Sequence, residues 1–230
     1  MATELSLAEA MIPSVGRILR LVFQRPASEP AEEPPPSGGP PAQPEVEFSA
    51  YGEDCRVYGR IQLAAERLSD MLNTHDQVLL VSVLVESLAD GCTYAVDEVK
   101  IARDELLVVE ALGPRGNPGR RTRTRPYPLA VKLGPYEVRG YVHVTPGADV
   151  LNAVRRRRPM VPLTDASISY VCGGALRRRH AATLLFNREC ADWLALTDDE
   201  AIDFPELPFP VSAGPLVKDF TGQVLTFQDA

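Results

Sequence analysis

Gly140-Tyr-Val-His-Val144, Asp149-Val-Leu-Asn152, Cys172-Gly173 and Phe186-Asn-Arg-Glu189 punctuate one stretch of the chain. The same punctuation occurs earlier as Gly59-Arg-Ile-Gln-Leu63, Asp70-Met-Leu-Asn73, Gly91-Cys92 and Ile101-Ala-Arg-Asp104. In each stretch a glycine opens an alternating run, an Asp/Asn tetrad follows, and a Gly/Cys turn joins two further β-rich runs. Paired landmarks are separated by roughly 80 residues, a spacing that marks one unit used twice. Alternation at period two belongs to strands with one buried face. The sequence therefore predicts a mainly β protein of two tandem small β-barrel or barrel-like units.

Working outward, the second unit is expected over 129–196. Leu129 to Leu133 and Glu137 to Thr145 form a strand pair across Gly134-Pro135, and Met160 to Val171 and Leu176 to Asn187 follow as strands. The first unit is expected over 45–113, with Arg56 to Ala64 as a strand and Glu66 to Asn73 as a short helix or turn. Gln77 to Ser87 is so continuously apolar that it reads as a strand buried on both faces. Val96 to Ile101 and Glu105 to Ala111 complete the unit, joined by a hairpin turn at Arg103-Asp104. Between the units, 114–128 reads as an Arg-rich loop.

Ahead of the units, Ser6-Leu-Ala-Glu9 has the capping-box spacing, and Val15, Ile18, Leu19, Val22 and Phe23 form one apolar stripe. An amphipathic helix is thus predicted within 1–25. Eight prolines in 26–44 predict an extended linker. Behind the units, 197–230 is expected to hold a short helix after Thr197-Asp-Asp-Glu200 and one last strand at Gln223 to Phe227, able to pair with an open sheet edge.

The four cysteines contain no C-x-x-C pair and the three histidines no ligand spacing, so no metal site and no cofactor is expected. No run approaches the roughly 18 apolar residues of a membrane span, and Glu4 and Glu9 stand where a leader would be basic. Reduced thiols and a cytoplasmic location are the corresponding expectations. No nucleophile motif, P-loop or dinucleotide glycine pattern occurs, so the protein is expected not to be an enzyme, with no catalytic residues.

Charge is the strongest functional signal. The chain carries a net charge of −7, yet Arg115 to Arg188 contains fifteen Lys and Arg against Glu137, Asp149 and Asp165. That stretch is net +12, leaving −19 for the remainder. Arg120, Arg121, Arg123 and Arg125, then Arg155, Arg156, Arg157 and Arg158, then Arg177, Arg178 and Arg179 form three clusters. Runs that repel themselves this strongly point to a polyanion or an acidic partner. Asp70, Asn73, Asp149 and Asn152 are read instead as structural turn residues of the repeat, their side chains bonding nearby backbone while Leu72 and Leu151 point inward.

The glycine-opened strands, the D-x-L-N tetrads, Val161-Pro-Leu-Thr-Asp-Ala166 and Phe186-Asn-Arg188 resemble an uncharacterised bacterial domain family of unknown function, in two diverged copies over most of 59–193. That resemblance implies a small β fold and no activity. Ile101-Ala-Arg103 and the tetrad Asn73 are similar to the RNA-contacting motifs of Sm-like barrels. Arg155 to Arg158 with Asp165-Ala-Ser167 resembles the cyclic-di-GMP motifs of PilZ domains.

The favoured expectation is a non-enzymatic interaction or assembly protein. Its basic second unit contacts an acidic protein partner and its N-terminal helix makes a second contact, with a membrane surface or a second copy also in view. The alternatives are a nucleic-acid-binding module using the arginine clusters and a degenerate cyclic dinucleotide binder.

Overall fold

The computed structural model describes residues 44–117, 119 and 122–198, and the backbone of 217–218 and 224–225. The predicted N-terminal helix and nearly all of the Pro-rich linker lie outside the described residues, as do Arg120, Arg121 and most of the tail.

Strands β1 (Glu45–Tyr51) and β2 (Cys55–Gln62), helix α1 (Leu68–Leu72), and strands β3 (Gln77–Ser87) and β4 (Thr93–Ala102) form the first half. After the three-residue strand β5 (Val108–Glu110), the same order recurs. It comprises β6 (Arg125–Leu133), β7 (Tyr136–Val144), α2 (Val150–Arg155), β8 (Met160–Cys172) and β9 (Ala175–Asn187), followed by β10 (Trp193–Leu196). Two short strands, β11 (Val217–Lys218) and β12 (Val224–Leu225), complete the list.

The protein is mainly β, but the expected barrels do not form. All the strands join one open sheet in the order β10-β6-β7-β8-β9-β5-β1-β2-β3-β4-β11-β12, and the two ends of that order do not pair. The reason lies in β5. Arg103–Glu105 form a 3-10 turn in place of the expected hairpin, and β5 leaves β4 to lie between β1 and β9. Edges that would have closed two separate units are thereby used to join them. The tail's contribution is β11, which runs parallel to β4 beside Thr93 and Tyr94, with β12 on its far side.

Two apolar cores follow from this joint, one on each side of the central strands. Ala50, Val109 and Leu185 face the first core, with Leu72, Leu80 and Ile101. Their chain neighbours Tyr51, Val108, Leu184 and Phe186 face the second, with Val138, Val142, Val154 and Ile168. The strands buried on both faces are therefore β1, β5 and the end of β9. β3, expected to be such a strand, alternates instead, with Leu79 48% exposed between buried Val78 and Leu80. Its solvent face happens to carry Leu79, Val81 and Leu84, so composition alone overstated its burial.

Each half contains the same local device. The β2–β3 register shifts between Tyr58 and Arg60, and the β7–β8 register between Arg139 and Tyr141. The bulged residues opposite, Ser82 (φ 51°) and Asp165 (φ 48°), take left-handed backbone. The bulges press against Gly59 and Gly140. A Cβ on Gly140 would meet the Cβ of Ala166 at 2.8 Å and the Thr164 carbonyl at 3.1 Å, and one on Gly59 would meet the Val81 carbonyl at 3.1 Å. At Gly140 only glycine allows that approach, whereas at Gly59 a methyl group would require its neighbours to give by a few tenths of an ångström.

The tetrads do not share this equivalence. Asp149 is the N-cap of α2, its Oδ1 accepting from the Asn152 N–H at 2.7 Å, whereas Asp70 lies inside the first turn of α1. Asn73 is the C-cap of α1 and Asn152 lies inside α2. Leu72 is fully buried and Leu151 only half-buried. The buried pairs that match across the two helices are Leu68 with Val150 and Leu72 with Val154, nearly one turn out of step with the tetrads.

Candidate partner-binding surface

The β8–β9 hairpin carries the site, and its anchoring begins with the turn. Gly173 (φ 55°) and Gly174 (φ 75°) form a two-residue turn of left-handed type, which suits the twist of the long strands it joins. The turn docks on the first half: Gly173 N–H donates to the Leu88 carbonyl at 2.9 Å, and the Cys172 thiol faces Glu86 Oε1 and the Ser87 carbonyl, each at 3.7 Å. Burial, and after it the charge of Glu86, pushes this thiol's pKa up, so it stays protonated as a donor.

Behind the turn, the Arg56 guanidinium from β2 is buried among three tyrosines. Its carbon lies 4.6 Å from the Tyr51 ring centroid, 4.4 Å from Tyr58 and 5.5 Å from Tyr170 on β8. Nη1 reaches Glu86 at 3.2 Å, while Nε and Nη2 have no hydrogen-bond acceptor among the described residues and rest on the ring faces. Burial opposes this charge, and the tyrosines with Glu86 more than offset it, so the pKa lies above the ordinary arginine value. Tyr51, Tyr136 and Tyr170 also stack edge-on or tilted with centroids 5.4 to 5.6 Å apart. The hairpin is thus fixed to the first half by a cation–aromatic cluster that no sequence pattern announced, since its members come from β1, β2, β7 and β8.

So anchored, β9 projects a basic strand. It pairs with β8 from end to end except at the Asp165 bulge, while β5 covers its other edge at Leu184, Leu185 and Phe186, with further bonds from the Ala111 N–H to the Thr183 carbonyl and from the Asn187 N–H to the Leu107 carbonyl. No strand pairs with residues 175–182 on that side among the described residues. Arg177, Arg178, Arg179 and His180 are all exposed there, and no acidic residue occurs in β9. Arg179 Nε lies 3.8 Å from Glu110, and His180 Nε2 lies 3.0 Å from Asp165.

A groove of about 330 Å³ adjoins this edge, lined by Arg179, Glu110, Ser49, Tyr58, Leu84 and Leu112 among others.

The structure separates the predicted arginine clusters. Arg125 lies opposite Val144 at the far end of the second half, and the Arg157 guanidinium donates there to the His143 carbonyl. Burial holds the Arg157 pKa below its ordinary value, and its own carbonyl accepts from Arg188 Nε. Arg157 is thus a structural brace, while Arg123, Arg125, Arg155, Arg156 and Arg158 are exposed. Along the β8–β9 ladder, the Ile168–Arg179 pair is eight residues from Met160–Asn187, or about 26 Å at 3.3 Å per residue. Arg177 to Arg179 therefore form a patch separate from Arg155 to Arg158.

Among the described residues, no group of three or more His, Cys, Asp and Glu is arranged to hold a metal ion, and no helix is long and apolar enough to cross a membrane. The four cysteines are free, Cys55 and Cys172 fully buried. Comparison with family models, curated proteins and solved structures found no match. The fold and surface define a class only: an open-sheet β protein that exposes a basic run on β9.

Proposed function

We propose that this is a non-enzymatic interaction protein whose basic second half contacts an acidic protein partner. The observation that supports this reading is the exposed Arg177-Arg-Arg-His180 run on a strand with no acidic residue. Desolvated arginines complement carboxylates in charge and in hydrogen-bonding geometry. The repeated β-β-α-β-β order and the paired glycine–bulge device support two diverged copies of one unit. On this reading the first copy became the acidic support and the second the basic contact surface. The N-terminal segment supplies a second contact, making the protein a bridge.

A protein partner is favoured over nucleic acid by the aromatics. Single-stranded nucleic acid binding draws on exposed rings that stack on bases. Tyr136, Tyr170 and Phe186 are buried in the core of the basic half, Tyr127 and Tyr141 are half-buried, and the exposed Trp193 lies on β10, which pairs with β6 and not with β9.

The test is fluorescence-anisotropy titration with a labelled decaglutamate peptide, single-stranded RNA and duplex DNA at two salt concentrations. It compares the intact chain with an Arg177→Glu/Arg178→Glu/Arg179→Glu variant and an Arg155→Ala/Arg156→Ala/Arg158→Ala variant. The reading expects salt-sensitive peptide binding that falls at least tenfold in the first variant. It is overturned if the peptide fails to bind at low salt, or if nucleic acid binds more tightly than the peptide. Deleting residues 1–25 is expected to leave the fold intact and to remove one interaction in pull-down.

A further inference from the structure

Independently of the acidic-partner reading, we propose that the groove beside Arg179 binds a free α-amino acid with an aromatic side chain. Its volume of about 330 Å³ falls at the lower end of small-ligand clefts. Strand register builds its floor. Leu84, Tyr58, Ser49 and Glu110 lie directly opposite one another across β3, β2, β1 and β5, so their side chains share one face in a row. At about 4.8 Å per strand the row spans about 14 Å, with an apolar end at Leu84 and a charged end at Glu110.

The charged end offers both signs at once. Arg179 Nε lies 3.8 Å from Glu110 Oε1, and that same oxygen accepts from the Tyr51 hydroxyl at 3.1 Å. An ammonium and a carboxylate carried on one carbon match such a pair, the ammonium on Glu110 and the carboxylate on the Arg179 guanidinium. Next to Glu110, Ser49 is 5% exposed, and its Oγ has no hydrogen-bond partner among the described residues. The same ammonium completes this buried hydroxyl. From there the ligand's side chain follows the row over Tyr58 towards Leu84, and Leu112 also lines its path. The Tyr58 ring, which carries Arg56 at 4.4 Å from its centroid, gives an aromatic side chain a second ring to pack on.

The charges exclude other occupants. Glu47 and Arg60, opposite each other in β1 and β2, complete the charged lining, so that two carboxylates face two guanidiniums. An acidic segment inside the groove, whether from a partner or from this chain, sets its carboxylates against Glu47 and Glu110. A basic one sets its cations against Arg60 and Arg179. A zwitterion meets neither penalty.

The test is isothermal titration calorimetry of the full chain with L-phenylalanine, N-acetyl-L-phenylalanine, L-phenylalaninamide and glycine. One phenylalanine per chain is expected. The other three, which lack in turn the ammonium, the carboxylate and the ring, are expected to bind at least about tenfold more weakly. Glu110→Gln keeps an acceptor for Tyr51 and is expected to weaken phenylalanine by a similar factor, and Ser49→Ala severalfold, each with a Tm near that of the unaltered protein. Phenylalanine is also expected to shift the amide NMR signals of Ser49, Tyr58 and Glu110.

No phenylalanine binding at millimolar concentration overturns the site. Equal affinity for N-acetyl-L-phenylalanine overturns the zwitterion match and leaves an anion resting on arginine, while equal affinity for glycine overturns the aromatic end. Unchanged binding in a folded Glu110→Gln protein places the amino acid elsewhere and overturns the groove. None of these results bears on decaglutamate binding at Arg177 to His180, so the two readings fail separately.

Discussion

The Asn73 side chain bonds both backbone groups of Met160: its Nδ2 donates to the Met160 carbonyl at 3.0 Å, and its Oδ1 accepts from the Met160 N–H at 2.9 Å. Asn73 caps α1 of the first half, while Met160 opens β8 of the second and is 1% exposed. One carboxamide thus does for β8 what a neighbouring strand would do, and it ties the two halves together at a point where their strands do not pair.

Removing that side chain leaves two buried backbone groups without partners. Asn73→Ala is expected to destabilise the protein by about 1–3 kcal/mol. Asn152→Ala, at the tetrad position that lies exposed inside α2, is expected to stay within about 0.5 kcal/mol. Guanidinium denaturation of both variants checks the contrast, and equal losses would contradict the assignment of Asn73 to the inter-half joint.

The glycines opposite the bulges make a graded pair. Gly140→Ala forces a methyl into atoms as close as 2.8 Å, so a loss of about 1–3 kcal/mol is expected. Gly59→Ala, whose nearest contact is 3.1 Å, is expected to lose less. Reversal of that order in urea titrations would show that the β2–β3 bulge is the tighter of the two.

Arg56 holds three tyrosines and Glu86 at once. Arg56→Ala uncovers a buried carboxylate contact and empties the aromatic cluster, for an expected loss of about 3–5 kcal/mol. Arg56→Lys keeps the charge but not the planar stacking surface, and it should recover only part of that loss. Near-UV circular dichroism together with denaturant midpoints reads both effects. Wild-type stability in Arg56→Ala would remove the cluster from any role in anchoring the hairpin.

Alkaline pH probes the same cluster. Burial pushes the phenol pKa values of Tyr51, Tyr58, Tyr136 and Tyr170 above the ordinary value of 10. A folded-state pKa raised in this way favours the protonated form, so the stability it contributes is complete below pH 10 and is lost as pH rises above it. Ultraviolet titration is expected to show these tyrosines ionising late and together with unfolding. Independent ionisation of all seven tyrosines near pH 10 in a still-folded protein would contradict this.

The two hairpins of the second half and helix α1 were legible because their signals are local, whereas α2 was read as a turn and the Arg103-Asp104 hairpin is a 3-10 turn. Gly134-Pro135 and Cys172-Gly173 mark turns in sequence, and period-two alternation marks β6 to β9. The D-x-L-N tetrads that suggested a repeat occupy different places on α1 and α2. The Arg177 to Arg179 run was legible as charge. Its division from Arg155 to Arg158 was not, because distance along a ladder depends on which residues pair. Arg56 carried no signal at all: a lone arginine in an alternating strand reads as solvent-facing until three distant rings close around it.

By itself, then, the sequence determined the high strand content and which half is basic, since each depends on side chains a few residues apart. Tertiary structure alone decided that the halves share one open sheet through β5, that Arg56 is buried, and that β5 meets β9 only at Leu184 to Phe186. The physical reason is that strand edges pair through backbone groups that nearly all residues share. Alternation therefore says which face of a strand is buried, and only the assembled sheet says which neighbour lies beside it.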